Sequence, residues 1–106
     1  MGSPQYGELI LDGEPIADDI EHESLTWSED RRLLAAQQLF SWRKGPRTRL
    51  VVIDTEKRVE LAATPPTQGL CEPIRFEDDV LVYRHWHHRR GELELRLPLP
   101  HEHGPP

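Results

Sequence analysis

Apolar residues along this chain fall in short runs separated by turn formers, the signature of strands rather than long helices. Residues 8–11 (ELIL) run into Asp12-Gly13, a pair favoured in two-residue hairpin turns because both positions accept positive φ. Residues 14–17 are the expected return strand, and Pro15, which lacks a ladder donor, marks it as an edge. Residues 18–23 are acidic and read as a loop. Residues 47–53 (RTRLVVI) are rich in β-branched side chains. Residues 54–57 turn, and residues 58–63 return with Val59, Leu61 and Ala63 on one face. Residues 64–69 (TPPTQG) form a rigid connector, and residues 73–76 a short strand followed by a turn at 77–79. Residues 80–86 (VLVYRHW) are a strand, 87–91 a turn, and 92–97 (ELELRL) an alternating strand.

One segment supports two readings. In residues 24–42 (SLTWSEDRRLLAAQQLFSW), Thr26 and Glu29 fit a capping box, and Leu33, Ala35, Ala36, Leu39 and Phe40 recur at near-helical spacing. The other reading alternates Leu25 and Trp27, reverses at residues 28–31 and runs a strand buried on both faces over 33–40. The fold class expected is all-β: a single-domain antiparallel β-meander of about seven or eight strands over residues 1–100. The alternative is α+β with one helix near 29–41. Residues 101–106 are expected to be a flexible C-terminal tail.

Composition narrows the class. The 106 residues are 36% hydrophobic and 30% charged, with ten prolines and seven glycines, which excludes an apolar membrane-spanning helix, collagen and a long coiled coil. One cysteine, Cys71, cannot form an internal disulfide, and residues 1–7 carry neither a basic region nor an apolar stretch, so a cytoplasmic protein is expected. The net charge of −6 is unevenly spread. Residues 1–30 hold nine acids and no Lys or Arg, whereas residues 31–58 hold eight bases and two acids. The acidic third is expected to fold against the basic middle; the other reading is an acidic surface that docks a basic partner. Net repulsion from phosphates argues against nucleic acid, unless Arg43, Lys44, Arg47 and Arg49 make an isolated basic face.

The run Trp27-Ser28-Glu29-Asp30-Arg31-Arg32-Leu33-Leu34-Ala35, followed by Leu50-Val51-Val52-Ile53-Asp54-Thr55-Glu56-Lys57, resembles a stretch of β-propeller blade of the WD-repeat-like kind. Residues 73–82 resemble a second partial copy. The resemblance covers residues 25–63 and part of 73–97. Arg31 stands where such a blade has its turn glycine, and no Trp-Asp dipeptide ends a strand. It implies a sequential antiparallel meander and a binding scaffold rather than a particular reaction.

Candidate chemistry is sparse. His85 and His87 alternate on one strand and would share a face roughly 6–7 Å apart, enough for two imidazoles to hold one zinc or nickel ion. Further ligands would come from His101, His103, His22, Cys71 or nearby carboxylates, although Arg89 and Arg90 would repel a cation. The bland reading is a polar strand end. Cys71 (GLCEP) has no neighbouring base and reads as a buried structural thiol. Trp27, Trp42 and Trp86 are expected in the core, with Trp42 and Trp86 the better interface anchors because each adjoins an arginine-bearing turn. The function expected is therefore a non-catalytic protein-interaction module, with no enzyme activity and no cofactor, and small size with acidic charge suits an immunity- or antitoxin-like protein. Its partner would be another protein or a second copy in a homodimer, with no nucleic acid and no membrane, and its contact residues would be Trp42, Arg43, Trp86, Arg89 and Arg90. The alternative is a small metal-binding protein or metalloenzyme using His85 and His87.

Overall fold

The computed structural model describes residues 6–41, 43 and 45–100, and the described chain is all-β and antiparallel. Ten strands run in order: β1 (Tyr6–Leu11), β2 (Glu14–Glu21), β3 (Thr26–Trp27), β4 (Leu33–Ser41), β5 (Arg47–Asp54), β6 (Val59–Ala63), β7 (Thr67–Gln68), β8 (Leu70–Glu77), β9 (Val80–His87) and β10 (Gly91–Pro98). They form a seven-stranded and a three-stranded sheet, the latter in the order β10-β9-β8. β3 is the short strand of the Leu25 and Trp27 alternation, and the two-residue β7 lies inside the expected connector, too short to show a period in sequence.

The helix reading of 29–41 gives way to a strand. Ser28, Asp30 and Arg32 build the turn: the Arg31 N–H donates to the Ser28 carbonyl, and the Arg32 N–H donates to the Asp30 carboxylate at 3.0 Å. β4 then takes β5 along one edge, while β2 and β3 share the other. That ladder outweighs the modest helix preference of Ala, Leu and Gln. β3, β4, β5 and β6 lie beside one another in chain order, the sequential pairing expected for residues 25–63.

The two central strands are buried on both faces. Leu34, Ala36, Val51 and Ile53 pack with Leu9 and Ile20 on one side; Ala35, Leu50 and Val52 pack with Cys71 and Leu81 on the other. Burial of each Leu, Ile or Val contributes about 1.5–3 kcal/mol, so β4 and β5 anchor both layers. Pro15 sits on β2, whose residues 14–17 pair only with β1 and leave their other side free, as its missing N–H requires; β2 reaches β4 further on, at Ile20 opposite Gln38. The strand also continues through Asp18 to Glu21, where a loop was expected.

Acid and base from distant segments meet, as the charge distribution suggests. Arg58 donates to Glu14 and, at 2.9 Å, to Asp12, tying the β5–β6 turn to the β1–β2 turn. Asp54 is buried and accepts from the N–H groups of Glu56 and Lys57 and from the Arg32 guanidinium at 3.3 Å. Burial pushes its pKa up, but the Lys57 N–H, Arg32 and the Glu56 N–H outweigh that, and the net shift is downward. A carboxyl lowered in the folded state stabilises the fold above its ordinary value near about 3.9 and loses that contribution as pH falls through the lower folded value. Asp54→Asn should cost about 1–3 kcal/mol at neutral pH and the deficit should shrink on acidification; a deficit independent of pH in denaturant titrations would refute the assignment.

The sheets are joined at a corner. Gly69 lies between β7 and β8 with φ of +104°, its N–H donating to the Pro46 carbonyl and its carbonyl accepting from the Thr48 hydroxyl at 2.8 Å. A Cβ there would sit 2.1 Å from the Trp86 carbonyl oxygen. Gln37 accepts from the Cys71 N–H at 2.7 Å, and Thr26 donates to the Pro73 carbonyl, so side chains of β4 and β3 satisfy the edge of β8. Gly69→Ala combines a forbidden φ with a backbone clash and should lower stability by at least about 3 kcal/mol; an unchanged denaturation midpoint would contradict this corner.

Candidate functional site

The β9–β10 hairpin is built from an uninterrupted ladder: Gly91 pairs with His87 and each residue follows in step to Pro98 opposite Val80. Alternation divides it into two faces. Leu93, Leu95 and Leu97 share one face, opposite His85, Tyr83 and Leu81 of β9. Leu97 and Leu99 reach the core layer beneath. Leu93 and Leu95, nearer the turn, overhang it and remain 54% and 37% exposed. Leu95 borders an open groove of about 380 Å³ with Pro65, Pro66, Tyr83 and His85.

The other face is charged. In register across the sheet stand Glu72, Arg84 and Glu94. Arg84 lies 3.3 Å from Glu72 and 3.2 Å from Glu92, and Arg96 lies 3.7 Å from Glu94. These exposed pairs contribute little each to stability, but they fix an alternating pattern of sign.

The expected contact residues are placed as follows. Trp42 lies outside the described residues, as do His101, His103 and the tail at 101–106. Arg43 occupies the turn between β4 and β5, its N–H donating to the Ser41 hydroxyl. Arg89 and Arg90 form the β9–β10 turn. Pro46 and Trp86 both adjoin Gly69, so the two turns leave the same end of the molecule. Trp86 is 42% exposed on the charged face, beside Leu70 and Glu92, and lines a groove of about 410 Å³ with Glu21 and Gln37. Trp27 is 37% exposed, with the Arg31 guanidinium 5.3 Å from its ring centre. The exposure of Trp27 corrects its expected place in the core, which Ile20, Leu34, Leu50, Ile53 and Leu81 fill instead; Trp86 is exposed, as an interface anchor requires.

The imidazoles take separate partners. His85 Nε2 lies 2.9 Å from the Gln68 carbonyl, while His87 Nδ1 accepts from the Arg89 N–H and its ring stacks on His88 at 4.7 Å. Among the described residues no three His, Cys, Asp or Glu side chains converge into a group able to hold a metal ion. Cys71 is buried, and burial raises its pKa against the opposing effect of Thr48, so the thiol stays protonated at neutral pH.

No family model, curated protein or solved structure gives a significant match to this chain. No helix among the described residues is long and apolar enough to cross a membrane.

Sequence reasoning names Trp42 and Trp86 and passes over Leu93, Leu95 and Glu94. The visible signal was the alternation of ELELRL itself, which reads equally as a strand with its apolar face covered. His87 offers a local check. Partial desolvation, then the positive groups His88, Arg90, His85 and Arg89, lower its pKa. Proton NMR should place it below the ordinary histidine range, and Arg89→Ala with Arg90→Ala should move it upward; no movement would show that the turn charges do not act on it.

Proposed function

We propose that this chain is a non-catalytic protein-interaction module that docks through the β9–β10 hairpin. The observation that carries the reading is the outer edge of β10. Among the described residues no strand pairs with it, and its register with β9 is unbroken over all eight residues. An uncovered strand edge presents a row of main-chain donors and acceptors, a template for strand addition.

The other edges are blunted. β1 carries two register shifts, β6 is five residues long with a shift against it, and β8 is met at Cys71 and Pro73 by the side chains of Gln37 and Thr26. β10 instead adds partly exposed Leu93 and Leu95 to a straight edge, with Trp86 and the Arg89-Arg90 turn beside it. Main-chain bonding along the edge would supply affinity, and the leucines and Trp86 specificity.

A photoreactive side chain at Leu95, compared with one at exposed Val59 of β6, tests the reading in the cell of origin. Discrete protein adducts are expected from position 95 and few from position 59. Absence of any adduct at 95 would remove the hairpin as a docking surface.

A further inference from the structure

We infer that the occupant of the β10 edge is a second copy of this chain, paired antiparallel about a two-fold axis at Leu95. This rests on the reading of β10 as the docking edge and names its partner. The charge order of the strand, Glu92-Leu93-Glu94-Leu95-Arg96-Leu97, is self-complementary. In an antiparallel pair related by a two-fold axis, residues directly opposite each other have numbers summing to one even value. Centring the axis on Leu95 places Glu94 opposite Arg96 of the second copy, and Arg96 opposite Glu94 of the second copy. Leu95 then meets Leu95, and Leu93 meets Leu97. One step away, centred on Glu94, the register sets Glu94 against its own copy, a like-charge pair that disfavours it.

Charged residues on an edge strand commonly discourage pairing. A single sign would do so here, but Glu94 and Arg96 present both signs in self-complementary order. The row Glu72, Arg84, Glu94 alternates in sign across the three-stranded sheet, and Arg96 of the second copy continues that alternation. Two three-stranded sheets become one six-stranded sheet. Leu93 and Leu95 gain cross-strand apolar neighbours on the side away from β9, where no described strand supplies them. Pro98, which lacks an N–H, stands at the far end of the paired segment, opposite Glu92.

Sedimentation equilibrium of the purified chain should show a monomer–dimer equilibrium. Glu94→Arg or Arg96→Glu alone turns both attractive pairs repulsive and should weaken the dimer about tenfold. An equimolar mixture of the two single variants should restore association as a heterodimer, and the double variant Glu94→Arg/Arg96→Glu should restore the homodimer. Leu95→Cys should form a disulfide-linked dimer on oxidation, since the two positions face each other on the axis and Cys71 is buried. A wild-type chain that stays monomeric, single variants that associate as before, or a double variant that does not recover would overturn the inference. If the purified chain is monomeric while position 95 cross-links a different protein in the cell, the second copy is wrong and the docking edge stands. If position 95 cross-links nothing, both fall.

Discussion

A single backbone approach, the Gly69 main chain against the Trp86 carbonyl, governs how the two sheets of this molecule meet. Gly69 adopts a left-handed φ, bonds Thr48 of the larger sheet and Pro46 just before it, and leaves no volume for a side chain. The chain can therefore leave β7 and enter β8 without a longer connection. Everything on the smaller sheet inherits its position from that bend. Cys71 lands against Ala35, Leu50 and Val52 in a shared apolar layer, and Gln37 finds the Cys71 N–H. A bulky residue at the corner would separate layers that depend on close packing.

The consequence for function is geometric. β8, held at the corner, lies over the central strands, so β10, two strands away, falls at the margin of the core. Leu97 and Leu99 still reach the shared layer; Leu93 and Leu95 do not. The hairpin thus has an anchored base and an overhanging tip. Packing holds its register straight, while the tip keeps apolar and main-chain groups available. The polar work of the fold is done elsewhere, by Asp54 and Arg32 at the end of β5 and by Arg58 between two turns. Those contacts close the larger sheet without involving the hairpin.

Much of the architecture was legible in the sequence. Runs such as RTRLVVI, VLVYRHW and ELELRL carry the two-residue period and β-branched content that make strands, and Asp12-Gly13 carries its turn. The residues 33–41 were ambiguous because Ala, Leu and Gln serve a helix as well. Their strand form depends on neighbours at both edges, distant along the chain, as Asp54 is from Leu33 and Ile20 from Gln38. Trp27 misled for a related reason: its size suits a core, yet Leu, Ile and Val side chains from β2, β4, β5 and β9 fill the interior and leave it at the surface.

The sequence by itself determined where the chain is extended, where it reverses, and the order of charge along each strand, because those are set by local sterics and by side-chain alternation. The tertiary structure alone decided that Gly69 must be glycine, that Gln37 and Thr26 cover the edge of β8, and that β10 keeps an edge with no neighbour among the described strands. Each of these depends on contact between segments distant along the chain, which no local pattern encodes.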